Sequence, residues 1–199
     1  MDEKNIPENR RRSPFYKLVT GNLSIQVLLT ILAAILYAVL VNFLDELPAG
    51  IITSGIFIPA YMAMIYTFAW GTAERERNMV LYGHMKEDQS RGLRSGLCAV
   101  IPLVLYSFVA MTLAYMGTGA NAIGVYRICT APFILFVNPL IEYAPFALPV
   151  TAVFAPFSAW WGYRNGYRLY RVWDHLIYKD GVKPKRGARR QAGPRARRR

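Results

Sequence analysis

The stretch "LVTGNLSIQVLLTILAAILYAVLVNFL", Leu18–Leu44, has 27 residues and contains no Asp, Glu, Lys or Arg. A helix needs about 20 consecutive apolar residues to cross the hydrocarbon core of a bilayer. This stretch is long enough, and it predicts a transmembrane helix over about residues 23–44. Whether the chain crosses the membrane once or several times depends on whether further charge-free stretches of this length follow.

Three more charge-free stretches follow along the chain. They are residues 47–73, 95–126 and 143–163, which are 27, 32 and 21 residues long. Only 18% of the chain is charged, against about 25% in a soluble domain. We therefore predict an all-α polytopic membrane protein with four transmembrane helices, over about residues 23–44, 51–70, 97–116 and 146–163.

A shorter apolar segment, "ICTAPFILFVNPLI" (Ile128–Ile141), lies between the third and fourth predicted spans. Its 14 residues are too few to cross a bilayer. Pro132 and Pro139 each remove a helical hydrogen bond and obstruct the preceding turn. We expect this segment to be re-entrant or interfacial on the outer face, covered by the spans, because unpaired backbone is not tolerated in lipid.

Basic residues are distributed very unevenly between the predicted spans. Of the 24 Lys and Arg residues, 23 lie before the first span, between the second and third, or after the fourth, and only Arg127 lies between the third and fourth. Cytoplasmic loops carry the excess of Lys and Arg in membrane proteins. We therefore predict a multi-pass protein of the cell membrane with both termini and the 72–96 loop in the cytoplasm.

The stretch "WWGYRNGYRLYR" (Trp160–Arg171) alternates basic and aromatic residues. A groove for single-stranded nucleic acid has this composition, and so does the cytoplasmic exit of a transmembrane helix. The rings here lie at the depth where the fourth span leaves the bilayer, which favours the membrane. Helical spacing then predicts that lipid headgroups bind the three arginines of one face, Arg164, Arg168 and Arg171.

The same region carries a pattern for helix packing. Ser158, Gly162 and Gly166 follow at four-residue steps, and small residues at this spacing let two membrane helices approach closely. In a compact bundle Glu74 and Glu76 lie near the depth of Arg164. One expectation is therefore an ion pair between the 72–96 loop and the cytoplasmic end of the fourth span. Pairing of both glutamates with neighbouring arginines or water is the alternative.

The chain divides by composition into three parts. Residues 1–17 form a polar cytoplasmic segment and residues 18–182 form a single transmembrane domain. Residues 183–199 contain nine Lys and Arg residues among 17, and like charges at this density predict a disordered basic tail.

Recognisable catalytic chemistry is missing from the sequence. The four charge-free stretches also lack His, and the chain contains no GxSxG, HExxH, CxxC, P-loop or GxGxxG motif. Catalysis in a membrane usually places ionisable groups inside the spans. We therefore predict a protein that is not an enzyme, with no catalytic residue, no metal site and no cofactor.

One arrangement favours transport instead. Broken helices and re-entrant segments line substrate paths in transporters, and the fourth span contains Pro149 and Pro156. Tyr126, Asn138 and Glu142 would then present polar groups to such a path.

Two motifs, "ERERNMVLYGHMKEDQSRGL" and "GYRNGYRLYRVWDHLIYK", resemble those of an uncharacterised family of small four-span membrane proteins from Gram-positive bacteria. The matching stretches cover roughly a fifth of the chain, and the long arginine-rich end departs from the pattern. The resemblance implies a fold and a membrane location, and it implies no activity.

The function predicted from these features is that of a non-enzymatic accessory, scaffold or regulatory partner whose basic cytoplasmic face binds anionic lipid. A small transporter or channel subunit is the alternative. The expected partners are anionic headgroups and either another membrane protein or a second copy of the chain. Contact between the tail and ribosomal RNA is a variant of the first hypothesis.

Overall fold

The computed structural model describes residues 13–81, 88, 90–116 and 120–169, and every regular element in these ranges is helical. Two 3₁₀ segments, Ala131–Phe133 and Pro145–Val153, precede the fifth and sixth α-helices. The α-helices are α1 (Phe15–Val41), α2 (Glu46–Leu81), α3 (Arg91–Tyr115), α4 (Ala120–Cys129), α5 (Ile134–Tyr143) and α6 (Phe154–Tyr167). The all-α prediction is confirmed for the described residues, whereas the predicted tail and most of the predicted N-terminal segment lie outside them.

Three helices are long and apolar enough to cross a membrane: Phe15–Val41, Glu46–Leu81 and Arg91–Leu113. They coincide with the first three predicted spans, although each extends beyond its predicted start or end. The helix α1 begins earlier, directly after Pro14, whose amide nitrogen carries no hydrogen and whose fixed φ suits the start of a helix. The helix α2 runs on through "TAERERNMVL", where Glu74 and Arg77 stand three residues apart, a spacing that stabilises a helix.

The region of the fourth predicted span is not one continuous α-helix. Residues Pro145–Val153 form a nine-residue 3₁₀ segment, and α6 adds 14 residues. Pro149 lies inside the 3₁₀ segment, where its missing N–H prevents a regular α-helical ladder. Four spans therefore stay a prediction, since the structure contains three uninterrupted helices of membrane length within its described residues.

The predicted re-entrant segment is a bent helix pair. Residues Ile123–Cys129 and Ala131–Tyr143 meet at an angle of 88°. The break falls at Thr130, directly before the short 3₁₀ turn that contains Pro132. A bend of this size suits either a broken span or a re-entrant loop, so the re-entrant or interfacial placement of this segment stays a prediction.

The bundle carries apolar residues on its outside and polar residues among those it buries. On α1 one stripe at spacings of three and four residues is buried: Leu18, Asn22, Gln26, Leu29 and Ala33. On the opposite side Val27, Ile31 and Ile35 are each about half exposed, at 51%, 52% and 58%. Such a continuous apolar face would be a liability in water, and it is the surface expected of a helix in contact with lipid.

The helix α6 packs against both α2 and α3. The hydrophobic core of the bundle includes large side chains from several helices, among them Ile65 of α2, Val137 of α5 and Tyr163 of α6. This packing brings polar groups of α6 next to those of α2 and α3, and the candidate site lies where the three helices meet.

Candidate functional site

Glu76 is the most deeply buried of the described Asp, Glu, Lys and Arg residues, with an exposed fraction of 0%. Glu76 continues the buried face of α2, after Tyr66, Ala69 and Ala73 at spacings of three and four residues. An isolated buried carboxylate is costly, and such groups in native proteins are paired and hydrogen-bonded. The neighbours of Glu76 therefore decide what this group does.

Both carboxylate oxygens of Glu76 accept hydrogen bonds from other helices. The Nη1 atom of Arg91, at the start of α3, donates to Oε1. The hydroxyl of Tyr163, on α6, donates to Oε2 at 2.6 Å. The guanidinium of Arg91 is itself buried, with 6% of the residue exposed, and its Nη2 donates to the backbone oxygen of Ser13. One carboxylate thus connects α2, α3, α6 and, through Arg91, the segment that leads into α1.

A buried ion pair of this kind is a strong constraint on helix positions. Removing one partner leaves an uncompensated buried charge, which costs about 3–5 kcal/mol, whereas an apolar replacement of the whole pair is often neutral. The described residues contain no cluster of three or more His, Cys, Asp or Glu side chains that could hold a metal ion. With bonds to both oxygens, the arrangement is suited to fixing the helices in one register.

Aromatic rings and an amide extend this polar contact along α6. The rings of Tyr163 and Tyr167 lie 5.2 Å apart. Two residues after Tyr163, the Nδ2 atom of Asn165 donates to the hydroxyl of Tyr66 on α2 at 3.3 Å. These contacts run along the α2–α6 interface, so the two helices are held by polar bonds in addition to apolar packing.

The predicted packing residues lie at the same interface. Gly162 lies against the backbone of Tyr66, and a Cβ atom at Gly166 would be 2.5 Å from the carbonyl oxygen of Trp70. Ser158 is buried and its hydroxyl donates to the backbone oxygen of Phe154 at 2.8 Å. The glycines allow the two backbones to approach, which brings Tyr163 within reach of Glu76.

Two further glycines that the sequence reasoning missed perform the same role on α3. A Cβ at Gly92 would collide with the side chain of Tyr163, and one at Gly96 would be 2.6 Å from the Cα of Pro156. Their Gly-x-x-x-Gly spacing was a readable signal for close helix packing. Gly92 directly follows Arg91 in the sequence. The same turn of α3 therefore allows the close approach of α6 and supplies the guanidinium that binds Glu76.

The predicted headgroup ligands end α6. Arg164 is partly buried and its guanidinium lies 5.4 Å from the ring centroid of Trp160. Arg168 is exposed at the C-terminal cap, and Leu169 follows with a φ of 54°. The α-helix therefore ends at Tyr167, because a left-handed residue cannot continue it. Arg171 lies outside the described residues, as does the amphipathic helix predicted to continue there.

The three residues predicted to line a substrate path have different surroundings. Tyr126 is completely buried, with its ring 6.0 Å from that of Tyr106 and its hydroxyl hydrogen-bonded to Thr151. Asn138 is partly buried, and its Oδ1 has no partner among the described residues. Glu142 is exposed. A cavity of about 540 Å³ between α1 and α3 is lined by none of the three.

Comparison with known proteins found no matching family model, no matching curated protein and no matching solved structure. The resemblance to small four-span proteins of Gram-positive bacteria therefore stays a prediction.

Proposed function

We propose that this protein is a non-enzymatic integral membrane protein that acts as an accessory, scaffold or regulatory partner of another membrane component. The observation that carries the proposal is the bonding of Glu76. Intramembrane or membrane-adjacent ionisable groups are usually functional, and here Glu76 and Arg91 are bonded to each other and, separately, to Tyr163 and Ser13. Buried charge that holds helices together fits a rigid scaffold better than a site for turnover.

The proposed topology has four spans and cytoplasmic termini. The fourth span consists of the 3₁₀ segment Pro145–Val153 followed by α6. Laid end to end, nine 3₁₀ residues and 14 α-helical residues measure about 39 Å, which exceeds the roughly 30 Å of the hydrocarbon core. The bent pair of α4 and α5 then serves as the re-entrant segment on the outer face.

Anionic lipid is the proposed ligand of the basic face. Arg168 is exposed at the end of α6, and Arg164 stacks on Trp160, an aromatic residue type that favours the membrane interface. Each Lys or Arg near an anionic surface contributes about 1 kcal/mol, and salt screens the interaction. The Arg164→Gln, Arg168→Gln double variant should retain less phosphatidylglycerol during purification than the wild type does, and the difference should shrink at high salt.

A site-specific photo-crosslinker tests the scaffold role directly. Placed at the exposed Ile35 of α1, in living cells, it should yield a defined adduct with another membrane protein or a second copy. The same crosslinker at the buried Ala69 of α2 is the matched control and should yield none. Solute flux or catalytic turnover by the purified chain alone in liposomes would contradict a scaffold.

A small transporter or channel subunit is the second candidate function. The unpartnered Oδ1 of Asn138, within a helix that contains Pro139, favours it, because broken helices present polar groups to substrates. Conductance across planar bilayers that falls in an Asn138→Leu variant would support transport, and conductance unchanged in that variant would count against this path.

A further inference from the structure

A lateral groove lies between α1 and α3, with residues of α2, α4 and the short 3₁₀ turn in its lining. Its volume is about 540 Å³, within the range of roughly 300–1,000 Å³ found for small-molecule pockets. Three aromatic residues line it: Tyr61, Tyr106 and Phe133. The rings of Tyr61 and Phe133 pack edge to face with centroids 5.2 Å apart, so this part of the groove is held in place before any ligand arrives.

The groove contains one polar group that lacks a partner. Gln26 of α1 lines it and is 7% exposed, and its Nε2 has no hydrogen-bond partner among the described residues. A buried donor without an acceptor is unfavourable, and more so in a membrane, where water does not replace the missing partner. A ligand that carries an acceptor would satisfy this donor.

The depth and charge of the groove limit the ligand further. Gln26 follows Lys17 by nine residues, which places it about 13 Å along the helix and inside the first predicted span. Phospholipid headgroups lie at the interface, outside this span. Among the described residues, no Asp, Glu, Lys or Arg lines the groove, so a neutral molecule fits it and a charged headgroup does not.

Access to the groove is from the side. Val27 and Ile31 line it and are about half exposed, on the face of α1 that we expect to contact lipid. A ligand dissolved in the bilayer therefore reaches Gln26 without crossing water, and an apolar tail leaves the groove between α1 and α3 into the acyl chains.

We infer that this groove binds the head group of an isoprenoid quinone. A quinone ring is flat, neutral and of the right size, its carbonyl oxygens accept a hydrogen bond from Gln26, and its ring packs among the three aromatic side chains. Its tail follows the lateral opening. The inference goes beyond the proposed scaffold role and includes no redox step.

Thermal stabilisation of the purified full-length chain in nanodiscs tests the site, because a ligand of the native state raises the unfolding temperature with concentration. The probes are decylubiquinone and decylbenzene, which have the same tail, whereas decylbenzene lacks the two carbonyl groups, the two methoxy groups and the ring methyl group. We expect decylubiquinone to bind about two- to tenfold more tightly, the range for one neutral hydrogen bond. The Gln26→Leu variant should abolish that difference.

Two tryptophan variants locate the binding. Val27→Trp narrows the mouth of the groove and should weaken binding of decylubiquinone, whereas Ile35→Trp, on the same helix but outside the groove lining, should leave it unchanged. Equal binding of both probes to the wild type would overturn the inference and identify a slot for acyl chains. Absence of stabilisation by decylubiquinone, or equal effects of the two tryptophan variants, would overturn it as well.

Discussion

The hydroxyl of Tyr163 donates a hydrogen bond to Oε2 of Glu76 at 2.6 Å, across 87 residues of sequence. The contact joins the last turns of α6 to the last turns of α2, and Arg91 occupies the other carboxylate oxygen. Gly162, beside Tyr163, removes the Cβ that would otherwise hold the two backbones apart. The hydrogen bond between Tyr163 and Glu76 and the close packing of α2 against α6 therefore depend on each other.

The Tyr163→Phe variant should be less stable than the wild type. It removes the donor to a fully buried carboxylate, and a lost hydrogen bond to a charged group costs about 1.5–3 kcal/mol. Denaturant unfolding in mild detergent measures the change. Tyr115→Phe, at an exposed position near the end of α3, is the control and should have little effect. Equal stability of the wild type and Tyr163→Phe would show that this bond is not formed in the membrane protein.

A double-mutant cycle should show strong coupling between Arg91 and Glu76. Arg91→Met leaves the buried carboxylate unpaired and should cost about 3–5 kcal/mol, and the additional Glu76→Gln change should recover part of that loss. Arg94→Met is the matched control, because Arg94 pairs with Asp88 but its side chain is 57% exposed, and a surface pair contributes about 0–1 kcal/mol. Additive effects at Arg91 and Glu76 would rule out the pair.

Alanine at Gly162 should destabilise the bundle, since its Cβ would collide with the carbonyl oxygen of Tyr66. Gly71 lies in α2 with nothing within 4 Å of an added Cβ. There, alanine removes only the entropic disadvantage of glycine in a helix and should stabilise by about 0.5–1 kcal/mol. Opposite signs for the two substitutions, measured by thermal unfolding in detergent, are the expected result. A stabilising Gly162→Ala substitution would mean that α2 and α6 are further apart.

Cysteine labelling should report four spans with both ends in the cytoplasm. In a background without Cys98 and Cys129, cysteines at Asp45 and Met116 should react from outside with a membrane-impermeant thiol reagent. Cysteines at Ser90 and Arg168 should react only after the membrane is permeabilised. All four positions are exposed, so burial does not limit the reaction. Labelling of Arg168 from outside would require an odd number of spans.

The sequence predicted the helices more reliably than it predicted their breaks. The charge-free stretch at Leu18–Leu44 marked α1 because crossing a bilayer depends mainly on length and composition. The prolines of the fourth predicted span are evident in the sequence, but the 3₁₀ segment Pro145–Val153 that contains Pro149 was not predicted. A proline removes one hydrogen bond whether the helix kinks or changes to 3₁₀ geometry, and the neighbouring α3 and α5 decide between these outcomes.

The candidate site was predicted only in part. Small residues at four-residue steps predicted that another helix packs closely against Ser158, Gly162 and Gly166. This spacing does not indicate which helix that is. Glu76 stands in a run of alternating charges, and the sequence predicted its partner either at the exit of the fourth span, near Arg164, or among neighbouring arginines and water. The structure instead pairs Glu76 with Arg91 at the start of α3. The continuation by Glu76 of the buried spacing from Tyr66 through Ala73 was the signal available, and it indicates burial without indicating a partner.

The sequence by itself determined that this chain is helical and forms helices of membrane length, since both properties follow from local composition and from the cost of unpaired backbone in lipid. Its basic residues also predict an orientation. Only the tertiary structure decided that Glu76 meets Arg91 and Tyr163, and that Gln26 faces a groove without a partner. These contacts depend on which faces of separate helices pack together, and that choice is made by the summed packing of side chains distant in sequence.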